Sequence, residues 1–192
     1  VTASGDHLAQ VWDVETGTPM VELKGHTDTV RNVAYSPDGT KILTCSWDRT
    51  ARLWDAASGE ILKAFEGHRN DIRTVQFSPD GRRVLTASWD RTARIWDVAT
   101  GASLVEITGH SATVWTAAFS PDGLRVITSS EDGSARLWDA RTGAILAVYK
   151  GHSRDVRSAG FSPDGQRVVT GSADGSARLW AAKGGASFAE FQ

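Results

Sequence analysis

The chain has 192 residues and a formal net charge of −2, so no global basic field argues for nucleic acid. Its single cysteine, Cys45, excludes a disulfide framework within the chain and suits a reducing, cytoplasmic setting. No apolar run is long enough to cross a bilayer, and no signal-peptide pattern is read.

The chain opens inside a repeat. Val1-Thr2-Ala3-Ser4 matches the run Val84-Leu85-Thr86-Ala87-Ser88 one residue in. Residue 1 is Val and the only methionine is Met20, and Gln192 falls one residue short of the next repeat. These ends read as a processed chain, an excised piece or part of something longer. Between them Gly25-His26, Gly67-His68, Gly109-His110 and Gly151-His152 recur every 42 residues. Trp12-Asp13, Trp54-Asp55, Trp96-Asp97 and Trp138-Asp139 keep the same beat, and Trp180 follows on schedule beside Ala181. A period of this size means a repeat array in which each unit buries its apolar faces against its neighbours.

Within residues 26–67, Val30 to Tyr35 is β-branched and aromatic and reads as a strand. Ser36-Pro37-Asp38-Gly39 suits a type I turn, and it recurs at 78–81, 120–123 and 162–165. Lys41 to Ser46 is a second strand, and Trp47-Asp48-Arg49 a tight turn. Thr50 to Trp54 alternates as a third strand. Ser58-Gly59 turns again, and Ile61 to Phe65 is a fourth. Four short strands and three hairpin turns make one antiparallel sheet, and no helical period survives between the turns.

Gly-His, Ser-Pro-Asp-Gly, a Ser-x-Asp turn and Trp-Asp at this period resemble the WD-repeat β-propeller family over the whole chain. The resemblance implies an all-β propeller of four-stranded antiparallel blades, with about 4.6 repeats here. Residues 1–25 are then a partial first blade (strands two to four). Residues 26–67, 68–109, 110–151 and 152–192 are blades two to five. The style of the repeats resembles bacterial WD-repeat arrays, which often act as sensors beside signalling NTPases, kinases or protease-like effectors.

Each repeat brings residues that could be mistaken for a hydrolase site. The offsets give His26, Thr44, Asp48 and Trp54, then His68, Thr86, Asp90 and Trp96. They give His110, Thr128, Asp132 and Trp138, and finally His152, Thr170, Asp174 and Trp180. In the family such residues resemble a structural relay from indole N–H to hydroxyl, to imidazole, to carboxylate. Ser46 and its equivalents are the alternative hydroxyl. A buried indole N–H needs an acceptor, and triads are recognised by geometry rather than composition. Four copies of a staple are expected, whereas four copies of one active site would be odd. The chain is therefore expected not to be an enzyme, with no catalytic residue and no cofactor. No metal site is expected either, because the histidines lie one per blade. His7 reads as a solvated turn residue and Cys45 as an inert buried thiol. The ladder Arg52, Arg94, Arg136 and Arg178 reads as structural or rim-exposed.

Function is sought where the repeats disagree. Trp47 and Trp89 precede the turn aspartate, where later blades carry Glu131 and Ala173. Trp115 shares an offset with Arg31, Arg73 and Arg157, and Thr29, Asp71, Thr113 and Asp155 lie two residues earlier. In the family these three offsets resemble the positions that ring the narrow face of the disc and touch partners. Trp and Arg are enriched at binding hot spots and stack on each other. The alternative is an inert face of arginines paired with Asp71, Asp155 and Glu131.

Family members usually close with about seven blades, so the three plus sixteen strands counted here fall short of a ring. Completion by another chain or segment, association of copies of this chain, or a small irregular closed ring are the three alternatives. The expected function is a protein–protein interaction scaffold or sensor module of a larger signalling protein. The alternative is a binder of nucleic acid or another anionic ligand through Arg31, Arg73 and Arg157.

Overall fold

A computed structural model describes residues 1–184 and 187–191. Among these residues nineteen strands form five separate antiparallel sheets. The first has three strands, β1 (Thr2–Ala3), β2 (Leu8–Trp12) and β3 (Pro19–Lys24). The second comprises β4 (Val30–Tyr35), β5 (Lys41–Ser46), β6 (Ala51–Asp55) and β7 (Ile61–Phe65). The third runs through β8 (Ile72–Phe77), β9 (Arg83–Ser88), β10 (Ala93–Asp97) and β11 (Ser103–Ile107). The fourth holds β12 (Val114–Phe119), β13 (Arg125–Ser130), β14 (Ser134–Asp139) and β15 (Ile145–Lys150). The fifth holds β16 (Val156–Phe161), β17 (Arg167–Ser172), β18 (Ala177–Ala181) and β19 (Ser187–Phe191).

The turns follow from their residues. Gly39 N–H donates to the Ser36 carbonyl at 2.9 Å, and the Ser36 hydroxyl donates to Asp38 at 2.6 Å. That hydroxyl, then the Thr40 amide and hydroxyl, hold the Asp38 carboxyl down to about 2. The next hairpin needs a left-handed residue after its Asp. Gly133 and Gly175 supply it with φ of 77° and 88°, whereas Arg49 and Arg91 are forced to 70° and 72°.

The sheets stack face to face, and each core cluster spans two successive sheets. Leu43, Cys45, Leu53 and Phe65 of the second pack on Ile72, Val75, Phe77 and Trp96 of the third. Both faces of an interior sheet are therefore covered, which is why Ile42 to Ser46 are all buried. Burial pushes the Cys45 thiol up, away from the reactive thiolate. The innermost strands β4, β8, β12 and β16 lie side by side. Asn32 and Gln76 tie them together by accepting the N–H of Val75 (3.3 Å) and Phe119 (2.7 Å) from the next sheet.

The row of sheets does not close on itself, so the small self-closed ring is not formed. Among the described residues no core cluster joins the first sheet to the last. Val169 is 47% exposed, where its equivalents Leu43, Leu85 and Ile127 are at most 1% exposed. Phe191 is 56% exposed, where Phe65, Ile107 and Tyr149 are at most 2%.

Candidate functional site

Two groups of side chains carry the chemistry. The first is the relay inside each complete sheet. Trp54 Nε1–H donates to Thr44 Oγ1 at 2.8 Å, and Thr44 Oγ1 lies 2.7 Å from His26 Nε2. His26 Nδ1 lies 2.7 Å from Asp48 Oδ2. With the proton on Nδ1, every donor in this relay finds an acceptor. Trp96–Thr86–His68–Asp90 repeats it at 2.9, 2.7 and 2.7 Å. Trp138–Thr128–His110–Asp132 has 2.8, 2.7 and 2.7 Å. Trp180–Thr170–His152–Asp174 is slightly looser at 2.9, 2.8 and 3.0 Å. Thr44 rather than Ser46 serves, because Ser46 Oγ donates to the Asp28 carbonyl and accepts the Asp48 N–H.

Burial by itself would raise the Asp48, Asp90 and Asp132 carboxyls. Hydrogen bonds from histidine and from the Thr or Ser two residues on outweigh it, holding all three well below the usual carboxylate range. The glycine before each histidine has a steric cause. Gly109 sits at φ 138°, and a Cβ there would lie 3.2 Å from both Arg136 Nη1 and Trp138. Arg94 and Arg178 pair with Glu106 (3.1 Å) and Glu190 (3.0 Å), beside the outer strands.

The second group lies at one end of the innermost strands. In each strand the register slips by one residue, between Val30 and Asn32, Ile72 and Thr74, Val114 and Thr116, and Val156 and Ser158. The extra residues are Arg31, Arg73, Trp115 and Arg157. A β-bulge leaves its extra residue unpaired and re-aims the side chain. Beside each bulge a second hydrogen bond fixes the following turn. The carbonyls of Thr29, Asp71, Thr113 and Asp155 accept the N–H of Trp47, Trp89, Glu131 and Ala173 at 2.9–3.0 Å. The three families of offsets are thus neighbours.

Three tryptophans from three sheets meet there. Trp47 and Trp89 have ring centroids 6.2 Å apart, and Trp89 and Trp115 stand edge to face at 6.3 Å. Arg73 lies between two of them, 4.9 Å from the Trp115 ring and 5.7 Å from Trp89. Arg31 covers Trp47 at 5.5 Å. Arg157 and Glu131 are exposed and stay outside this stack, and Ala173 adds no functional group. Among the described residues no carboxylate comes within ion-pair distance of Arg31, Arg73 or Arg157. The Arg–acid pairing of an inert charged ring is therefore not formed. Burial, then the charges of Arg31 and Arg157, lower the Arg73 guanidinium. Burial and the neighbouring Asp28 push the Asp71 carboxyl up.

Among the described residues Trp47 Nε1, Trp89 Nε1, Trp115 Nε1 and Thr74 Oγ1 are buried without a hydrogen-bond partner, as are the Nε atoms of Arg52, Arg94 and Arg178 elsewhere. Each such group costs about 1–3 kcal/mol. Arg73, Thr74, Trp115, Thr116 and Arg157 line a cavity of about 340 Å³. A larger one, about 560 Å³, opens at the opposite end of the same strands between Tyr35, Phe77, Phe119 and Phe161 and the turn prolines. It has no charged lining, and the Ser78 and Ser120 hydroxyls there are already engaged by Asp80 and Asp122. The smaller cavity is the better candidate of these two, because it combines charged side chains with the unpartnered Thr74 hydroxyl. Thr74 and Thr116, directly after the bulges, are not singled out by sequence reasoning. Neither is Thr2, which accepts the Trp12 indole N–H at 2.8 Å. The ten-residue spacing of Thr44 and Trp54 was the available signal for Thr2.

Among the described residues no cluster of three or more potential metal ligands occurs, and no helix is long and apolar enough to cross a membrane. Stacked four-stranded antiparallel sheets, each fastened by a Trp–Thr–His–Asp relay, define blades of the β-propeller type. The chain belongs to the WD40 family, whose profile "WD domain, G-beta repeat" matches residues 17–55, 59–97, 101–139 and 143–181. Proteins of this family are generally non-enzymatic interaction scaffolds. The chain is 55% identical over 38 residues to Ribosome assembly protein 4 of Chaetomium thermophilum, covering 20% of this chain and 7% of that protein. It is 52% identical over 44 residues to the Saccharomyces cerevisiae protein of the same name, covering 23% and 8%. It is 37% identical over 43 residues to mouse Coronin-7, covering 22% and 5%. The matches thus span only a small part of each relative.

Proposed function

We propose that this chain is a non-enzymatic module that offers the bulged end of its inner strands to a protein partner. The observation that carries the reading is the Trp47–Trp89–Trp115 stack with Arg73 between two of its rings. It is built at positions where otherwise matching repeats differ. Thr29, Asp71, Thr113, Glu131, Asp155, Arg157 and Ala173 frame it. The relays are fasteners in this reading, since a Thr oxygen holding an indole N–H is poorly placed to attack a substrate. The module works in the cytoplasm as the scaffold or sensor part of a larger signalling assembly. Further blades of the same propeller cover the apolar face around Val169 and Phe191, and a second copy of the chain is the alternative cover.

A photo-cross-linking residue placed at exposed position 131 tests the partner face, with position 82 on the opposite side as control. Cross-links to a discrete partner from 131 only, lost in the Trp89→Ser/Trp115→Ser double variant, are expected. Cross-linking that ignores this double change would overturn the reading. Sedimentation of the dilute chain separates the two covers, because a stable monomer excludes the second copy.

A further inference from the structure

We infer that the cavity between Arg73 and Arg157, floored by Trp115, receives one anionic side chain, carboxylate or phosphate, carried on a peptide of the partner. The inference rests on the reading of this end as the partner face, and adds what the partner must present there.

The chemistry of the lining is one-sided. Guanidinium and indole groups donate hydrogen bonds and accept none. Among the described residues Arg31, Arg73 and Arg157 have no carboxylate within ion-pair distance. The Trp115 indole N–H and the Thr74 hydroxyl, buried atoms of two side chains that line the cavity, also lack partners among the described residues. A ligand complementary to such a set is rich in acceptors and negatively charged. Guanidinium forks match carboxylate and phosphate oxygens in geometry as well as charge. The like charges of Arg31 and Arg157 act on Arg73, and an anion between them relieves that repulsion.

Size and rim limit the ligand further. A cavity of about 340 Å³ has room for a carboxylate- or phosphate-bearing side chain but not for a run of nucleotides. Asp71, Glu131 and Asp155 frame the same end, and the whole chain carries a net charge of −2. These negative groups oppose an extended polyanion such as nucleic acid, while a single anion reaches the arginines between them.

The eight indole N–H groups give a direct readout in a nitrogen–proton correlation spectrum of the ¹⁵N-labelled chain. The probes are an otherwise neutral heptapeptide with a central Glu, the same peptide with phosphoserine there, and controls with Gln or Ser. Saturable shifts of the Trp89 and Trp115 indole signals are expected with an anionic peptide and not with its control. Comparison of the two anionic arms tells which anion is preferred. Arg73→Gln/Arg157→Gln should weaken binding at least tenfold, with the Trp54, Trp96, Trp138 and Trp180 signals unmoved as proof of an intact fold. Equal shifts with neutral peptides, unchanged affinity in the double variant, or tighter binding of a single-stranded oligonucleotide would overturn the inference. If the anionic peptides fail while cross-linking from position 131 still depends on Trp89 and Trp115, only the anion is wrong. If that cross-linking fails too, the partner face falls with it.

Discussion

The two sets of tryptophans sit in the same sheets and meet opposite fates. Trp54, Trp96, Trp138 and Trp180 are at most 2% exposed, and each gives its N–H to a threonine. Trp47, Trp89 and Trp115 are half-buried, touch one another across sheet boundaries and give their N–H to no acceptor among the described residues. The first set spends its whole hydrogen-bonding capacity inside the fold, whereas the second keeps it in reserve. The contrast separates residues that hold the blades from residues that are free to hold something else.

The largest effect expected is on the fastened set. Trp96→Ala should lower unfolding free energy by about 3–5 kcal/mol, read by urea denaturation. It removes a buried ring and strands Thr86 and His68. Next comes the carboxylate end of the relay. Asp90 accepts from His68, Arg69, Thr92 N–H and the Thr92 hydroxyl at 2.6–3.0 Å. Asp90→Asn should cost about 1.5–3 kcal/mol, the usual worth of a hydrogen bond to a charged group.

The pH dependence has a definite sign. Asp48, Asp90 and Asp132 are held below the ordinary carboxylate value in the folded chain. Their contribution is full above about pH 4, the unfolded value, and is lost as pH falls towards the folded ones. Chemical denaturation from pH 6 to pH 2 should show that loss, with a shallower slope in Asp90→Asn.

The unfastened set should respond far less. Trp89→Ala gives up aromatic contacts worth about 0.5–1.5 kcal/mol each, but it also removes an unsatisfied N–H. A net change of about 1 kcal/mol or less is expected in the same urea assay. A Trp89 variant as unstable as Trp96→Ala would erase the distinction between the two sets. The smallest effect belongs to neither. Arg91→Gly places glycine at φ 72°, where later blades already use it, and should gain about 0.5 kcal/mol. A rise of about 1–2 °C in melting temperature would show it.

The frame was largely legible in the sequence because its signals are local. Ser-Pro-Asp-Gly and Asp-Gly turns fix hairpins through residues a few positions apart, and a 42-residue period multiplies each signal. The burial of β5 on both faces was less obvious, since it depends on a neighbouring sheet rather than on β5 itself. The candidate site was legible only as a set of variable offsets. That Trp115 touches Trp89, 26 residues before it in another sheet, depends on how successive sheets are set against each other. The bulges were hidden as well, because Val30-Arg31-Asn32 reads as an ordinary strand start. Orphaned donors such as Thr74 Oγ1 become visible only when every neighbour is in place.

The bulge has one more implication. Arg31, Arg73, Trp115 and Arg157 fall outside the one-to-one register of their strands. Exchanging any of them leaves the paired ladder on either side intact. Specificity can therefore be rewritten at four adjoining positions while the architecture is inherited unchanged, so mutation can explore new recognition without first risking collapse.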